Sequence, residues 1–249
     1  MERTISLVVF SDGATDEFGL TTAMLAPVLA NVPYQVILAA NGTPIDPDFF
    51  AQLPFAATAV TSATRVPPGV LLNGALAQAK GDVVTFLPAG MQPEPWWTAG
   101  VFELLERPEV GAVAPRIVDP SGDRIVATGI VSVNGGLHLK DAGAGRDQFS
   151  PLLPASMFCS FLAGLSIRRA VIEQVGLFDV LFETSLYDLD WTLRARAQNL
   201  AVAYRPDVTM RYGRPIPFGP GLHSAADVAR FRERWQNTFG AAIELERLA

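Results

Sequence analysis

The chain has 249 residues, 49% of them hydrophobic and 18% charged, with a mean hydropathy of +0.26, enough apolar material for a sizeable core. A formal net charge of −6 with interspersed signs excludes the basic footprint of a general nucleic-acid binder, and no basic run marks a membrane surface. The single cysteine, Cys159, excludes an internal disulfide framework and fits a reducing compartment.

The N-terminal stretch MERTISLVVFSDG holds a short apolar run ended by Ser-Asp-Gly. It lacks a signal-peptide cleavage pattern and is too short to span a bilayer, so a cytoplasmic protein without a transmembrane segment is expected. Its core, ISLVVF (5–10), reads as a strand buried on both faces. Residues 15–31 read as a helix with Thr15 or Asp16 as N-cap. Strands follow at YQVILAA (34–40), closed by Asn41-Gly42, and at ATAVTS (57–62). PPGVLLNGALAQAKG (67–81) opens on prolines and stops at Gly81, which marks both ends of a helix. DVVTFL (82–87) is the fourth strand, and a helix is expected from after Trp96-Trp97 to about Arg107. Strands alternating with helices predict βαβ units and an α/β fold with a parallel sheet.

Further on, VGAVAPRIV (110–118) is a strand, DPSGD a turn, and RIVATGIVSV (124–133) its hairpin partner. Residues 134–150 are glycine-rich and polar and are expected to form a long loop, of the kind used as a flap or lid. MFCSFLAGLSI (157–167) reads as one strand or two, with Cys159 a buried, inert thiol. RRAVIEQVG forms a short helix ending at Gly176, and a second helix runs from about Tyr187 to Asn199. AVAYRP (201–206) is the last clear strand, and an amphipathic helix over 225–239 carries Phe231 and Trp235. Two histidines, His138 and His223, together with one cysteine argue against a zinc site.

The order of these segments resembles family-2 glycosyltransferases of the GT-A fold, in particular rhamnosyltransferase-like ones, over nearly the whole chain. The carriers are ISLVVF with its polar turn, VILAANGTPID, PGVLLNGALAQAKGDVVTFL, VGAVAPRIVDPSGDRI, and SIRRAVIEQVGLFDVLFETSLYDLDWTLRARAQNLAVAYRPDV. The resemblance implies a Rossmann-like, mostly parallel central sheet flanked by helices, with a smaller mixed-sheet half on the acceptor side. It implies one domain: residues 1–107 as the nucleotide-binding half, 108–222 as the acceptor-side half, and 223–249 as a C-terminal helix. The activity implied is transfer of a sugar from a nucleotide-sugar to an acceptor hydroxyl with inversion. That chemistry needs a carboxylate base, positive charge on the leaving diphosphate and a nucleoside pocket.

Position by position, the resemblance makes Asp188 the catalytic base, although an acidic residue in the first turn of a helix also suits the helix dipole. The family's Asp-x-Asp metal motif falls on Pro88-Ala89-Gly90, so both carboxylates are missing, and its distal His falls near Tyr212. Hard divalent cations need oxygen ligands, so no divalent metal and no other cofactor is expected. The Asp that pairs with uracil falls on Ala40. Ser11, Asp12, Asn41 and Asn73 remain as nucleotide-binding candidates, though Asp12-Gly13 and Asn41-Gly42 are also ordinary turn dipeptides. Arg205, Arg211 and Arg214 cluster near the last strand. Arg211 and Arg214 are candidates to answer the diphosphate, with a solvated cationic rim beside Asp207 as the bland alternative. Trp96 and Trp97 sit where the family has a hydrophobic anchor, read as packing plus one exposed face.

Two readings stand. One is a metal-independent transferase acting on a nucleotide-sugar donor and an unidentified acceptor (saccharide, lipid or protein). The other is a catalytically inactive pseudo-glycosyltransferase, a binding or assembly module. It would form a homodimer or pair with an active transferase through residues 15–31 or the C-terminal helix.

Overall fold

The computed structural model describes residues 3–13, 16–29, 31–133, 136–146, 155–216, 218 and 222–237. In chain order the first half contains β1 (Ile5–Asp12), α1 (Phe18–Val28), β2 (Tyr34–Asn41), α2 (Pro47–Ala51), β3 (Ala57–Ser62), α3 (Pro68–Gln78), β4 (Val83–Pro88), β5 (Gln92–Pro93) and α4 (Trp97–Leu104). The second half contains β6 (Val110–Val118), β7 (Ile125–Ala127), β8 (Ile130–Val133), β9 (Gly136–Leu139), β10 (Ala155–Met157) and β11 (Ser166–Arg168). It closes with α5 (Arg169–Val175), α6 (Tyr187–Ala197), β12 (Ala201–Arg211) and α7 (Ala225–Trp235).

One sheet runs in the order β10-β12-β6-β11-β4-β1-β2-β3, with β5 pairing to β12 and β7 to β6. It is parallel over β3-β2-β1-β4 and again between β12 and β6. Strand β11 lies antiparallel between β4 and β6 and joins the mixed part to the parallel part, so the mixed half continues the same sheet. The fold is α/β, as the segment order predicts.

The unbroken apolar runs follow from burial on both faces. Along β1, Ile5, Leu7 and Val9 point into one core with α1 and α4, while Val8 points into the other with α3 and α5. Strands β2 and β4 divide in the same way, as the two-residue period of a strand requires. Gly81 lets the end of the α3 segment touch the start of β1: a Cβ there would lie 2.5 Å from the Ser6 amide nitrogen. The Ser6 hydroxyl accepts from the amides of Lys80 and Gly81, and the Asp82 carboxylate accepts from the Thr4 amide and hydroxyl. These ties set β4 beside β1 so that both strands end on the same rim.

Several sequence expectations are corrected. The stretch 124–133 is not one hairpin strand. At Gly129 (φ 137) the chain turns, so β7 pairs with β6 while β8 pairs with β9 in a separate two-stranded sheet. Part of the expected 134–150 loop is therefore β9, and residues 134–135 and 147–150 lie outside the described residues. Helix α1 starts at Phe18, and its N-cap is Glu17 with no side-chain cap bond. Thr15 lies outside the described residues, and Asp16 does not cap. Helix α2 went unread, although Asp46 caps it by accepting from the Asp48 amide and Pro47 opens it. Strand β12 passes Pro206 and reaches Arg211 because a register shift between Tyr204 and Thr209 absorbs the proline. Of the tryptophans, Trp97 is fully buried while Trp96 is 81% exposed.

Candidate active site

Strands β1, β2 and β4 end at one rim, where open α/β sheets bind ligands. Strand β4 runs into a tight turn in which the Met91 amide donates to Pro88 O at 3.0 Å, and Gly90 sits at φ 90. The Gly90 amide donates to Thr21 Oγ1 at 2.9 Å, which ties the turn to α1. The turn residues themselves, Pro88, Ala89 and Gly90, carry no carboxylate.

A pocket of about 180 Å³ opens beside Pro88. Phe10 and Phe161 give it apolar walls, and the start of α6 and the chain after β12 close it with Asp188, Tyr212 and His223. Asp188 is not the N-cap of α6, since that position is Leu186 in the left-handed region at φ 64. Its Oδ1 accepts from the Leu189 amide at 2.9 Å within the first turn. Its Oδ2 accepts from the Leu162 amide at 3.0 Å, on the loop between β10 and β11. Burial pushes the Asp188 carboxyl above its ordinary value, against the opposing pull of those amides. The Tyr187 phenol is also pushed well up by burial, with the Asp188 and Asp12 charges adding to it. Asp188 and the β1 tip therefore flank the same side chain. Both ring nitrogens of His223 are buried and lack a hydrogen-bond partner among the described residues.

The loop that lines this pocket is held from α7. Asp227 accepts from the amides of Glu183, Thr184 and Ser185 at 2.7–3.0 Å and from the Thr184 hydroxyl at 2.8 Å. Burial alone would raise its carboxyl, but these donors outweigh burial and hold it below its ordinary value. Asp190, fully buried, points away from the pocket. It accepts from Arg194 Nε (3.0 Å), Arg234 Nη1 (2.7 Å) and Trp235 Nε1 (3.0 Å), and so fastens α7 to α6.

The nucleotide-binding candidates have diverse surroundings. Asp12 and Asn41 face each other in register at the tips of β1 and β2. Arg65 bonds Asp12 through Nε (3.0 Å) and Nη2 (2.7 Å), and Asn41 donates to Asp12 Oδ1 (3.1 Å) and to Val66 O (2.8 Å). Ser11 is buried beside them. Asn73 lies elsewhere: its amide donates to Phe178 O at 2.9 Å and accepts from the Phe178 amide at 3.0 Å, a clamp between α3 and the segment after α5.

The three arginines do not form one cluster. Arg205 pairs with Glu103 and Asp207. Arg211 bonds Glu94 and donates to the carbonyls of Pro120 and Ser121 at 3.2 Å. Glu94 is also gripped by Arg146, and a Cβ at Gly122 would lie 3.0 Å from the Arg211 guanidinium. Arg214 has a side chain 51% exposed and bonds Glu17 through Nε at 3.1 Å. Both Arg211 and Arg214 line a second pocket of about 260 Å³, which shares Tyr212 with the first and is floored by Gly90.

The sequence reading missed Glu17 and Glu94. Glu17 is the carboxylate at the turn, since a Cβ on Gly90 would lie 3.1 Å from its Oε2. A metal at this turn would meet one carboxylate already paired with a guanidinium, and no group of three or more His, Cys, Asp or Glu that could hold a metal ion exists among the described residues. The residues present do not fit a divalent cation of the Asp-x-Asp kind. Among the described residues no helix is long and apolar enough to cross a membrane.

No protein-family profile matches the chain. Over 143 residues it is 29% identical to an uncharacterized protein, y4gI, of Sinorhizobium fredii, covering 55% of this chain and 16% of that protein. Over 136 residues it is 29% identical to the O-antigen biosynthesis protein RfbC of Myxococcus xanthus, covering 52% of this chain and 11% of that one. The matched segments thus span less than a fifth of either relative. Among solved structures, GalNAc-T7 with UDP, GalNAc and Mn²⁺ superposes with a TM-score of 0.69 at 12% identity, over 95% of this chain and 48% of that one. TarS of S. aureus gives 0.58 at 14% identity over 86% and 37%. The mannosyltransferase PcManGT of Pyrobaculum calidifontis with GDP-Man and Mn²⁺ gives 0.57 at 15% identity over 95% and 62%. At such identities the likeness establishes the fold alone: this chain has the GT-A architecture of these glycosyltransferase structures.

Proposed function

We propose that this GT-A chain transfers a sugar from a nucleotide-sugar donor to an acceptor hydroxyl with inversion, and that it does so without a divalent metal. The observation that carries the proposal is the placement of Asp188. Its carboxylate is oriented by two amides at the wall of a pocket that opens beside Pro88 at the end of β4. In the step proposed, Asp188 takes the proton of the acceptor O–H as that oxygen bonds to the anomeric carbon. The bond from that carbon to the diphosphate oxygen breaks, and its electron pair leaves with the diphosphate. Arg214, held by one carboxylate and half exposed, swings from Glu17 to the departing charge, with Arg211 behind it. Residues 1–107 serve as the nucleotide side and 108–222 as the acceptor side. Asp12 offers its carboxylate to the nucleoside only if Arg65 shares it, Asn41 only if Asp12 and Val66 share it, and Ser11 lies next to Asp12 at the tip of β1. Asn73 acts as a clamp.

The test is thermal stability with UDP-, GDP- and dTDP-sugars, with and without Mn²⁺. A donor at about 100 times its Kd should add roughly 2.7 kcal/mol of stability without Mn²⁺. A shift that requires Mn²⁺ sinks the metal-free assignment. Given binding, Arg214→Ala should weaken diphosphate binding about 10- to 100-fold, the range of a lost hydrogen bond between charged groups. Glu17→Gln, which releases Arg214 from its counter-ion, should strengthen it. Unchanged nucleoside-diphosphate affinity in both variants returns Arg214 to a structural ion pair.

One observation favours the second reading, a pseudo-glycosyltransferase used as a binding module. The polar groups at the rim are paired with one another: Arg65 with Asp12, Arg214 with Glu17. A chain that stabilises with none of these nucleotide-sugars answers to that description.

A further inference from the structure

The pocket beside Asp188 contains a group that the proposed transfer step leaves unused. His223 lines the wall, and its Nδ1 and Nε2 are both buried with no partner among the described residues. Folded proteins seldom leave a buried donor and acceptor unmet, and such a group calls for a reason. Burial depresses its basicity, with Asp227 pulling the other way, so the ring is neutral and offers one N–H and one bare nitrogen. Tyr187 and Asp188 from α6, Tyr212 after β12 and Asp227 from α7 are the other titratable groups around it.

The ring also has an aromatic neighbour. Phe218 meets it edge-on at 6.5 Å between centroids and is itself backed by Phe161 at 5.7 Å. On the following residue, the Ser224 hydroxyl accepts from the Asp227 amide and starts α7, which pins the chain on that side. A ring with an unmet donor and acceptor, edged by an aromatic side chain and lining the same pocket as a carboxylate, suits one ligand chemistry once a rotation of the ring turns a nitrogen into the pocket. Sugar rings present apolar C–H faces to aromatic walls, and their hydroxyls both donate and accept.

We infer that His223 hydrogen-bonds a hydroxyl of the saccharide that lies against Asp188, and that it thereby selects which sugar enters. This rests on the transferase reading and adds to it a specificity-determining residue. The hydroxyl could belong to the donor sugar or to the acceptor, and the experiment separates the two.

The chain has two histidines, so a protein labelled with ¹⁵N-histidine shows only His223 and His138, the latter on β9 and serving as reference. UDP-GlcNAc, GDP-mannose and dTDP-rhamnose are added in turn, each beside its nucleoside diphosphate, and methyl glycosides of the same sugars are added separately. A shift of the His223 nitrogens with a nucleotide-sugar but not with its diphosphate places the hydroxyl on the donor. A shift with a methyl glycoside in the presence of the diphosphate places it on the acceptor. His223→Phe should lower affinity for that sugar about tenfold, the size of one hydrogen bond, while affinity for the diphosphate stays the same. His223→Gln, which keeps a donor and an acceptor, should recover part of the loss. If nucleotide-sugars stabilise the protein while the His223 resonances stay in place or respond equally to the bare diphosphate, the inference is overturned and the transferase reading survives. If none of the probes binds, both fall.

Discussion

Asp188→Asn should cut transfer about 10²- to 10⁴-fold, the usual contribution of a positioned base, while donor affinity stays intact. Asparagine keeps the shape and one acceptor oxygen for the Leu162 or Leu189 amide but cannot take a proton. The pH dependence is signed. Burial raises the carboxyl above its ordinary value of 3.8, so activity should rise with pH through a limb above that value. The linkage to stability runs the other way. A carboxyl whose folded pKa is raised contributes stability that is present below the unfolded pKa and lost as pH rises through the folded one. Wild-type protein should therefore lose stability relative to Asp188→Asn as pH climbs from about 4. Single-turnover rates across pH, read beside donor binding, decide the matter. Unaffected turnover in the variant would remove Asp188 from the mechanism.

Asp190→Ala should destabilise the fold by about 3 kcal/mol, the lower end of the 3–5 kcal/mol typical when one partner of a buried ion pair is removed. The lower end applies because the stranded guanidiniums keep solvent access, with side chains 22% exposed at Arg194 and 35% at Arg234. Trp235 Nε1 would lose its acceptor inside the core. The effect should reach the pocket: α7 carries Asp227, which holds the backbone of Glu183–Ser185 just ahead of Asp188. Urea unfolding measures the stability loss, and activity should fall by more than the unfolded fraction explains. A variant as stable as wild type would show that Asp190 is incidental to the packing of α7.

Much of the frame was legible because it rests on local chemistry. Two-faced apolar runs mark β1, β2 and β4, prolines open α3, which stops at Gln78 ahead of the expected Gly81, and Gly90 takes the positive φ of the turn after β4. The Val-Gly-x-Phe-Asp signature has a structural account as well. The Gly176 carbonyl accepts from Trp191 Nε1, Phe178 packs edge-on to Phe86 and Tyr187, and Asp179 receives Arg234. The candidate site was only half legible. Asp188 could be chosen, but Asp190 two residues on has the same local signature and turned out to be a fastener for α7. Asn73, carried by resemblance, is a clamp, and His223 had no local pattern at all.

The sequence alone determined the α/β order and the ends of the parallel strands, because each depends on neighbours within one or two turns of chain. Only the tertiary structure decided what each charge does. Glu17 meets Arg214 across 197 residues, Asp12 meets Arg65 across 53, and Asp190 meets Arg234 across 44. Such pairings depend on which strand ends and helices the sheet brings together. Periodicity and propensity describe the local chain and carry no information about distant partners.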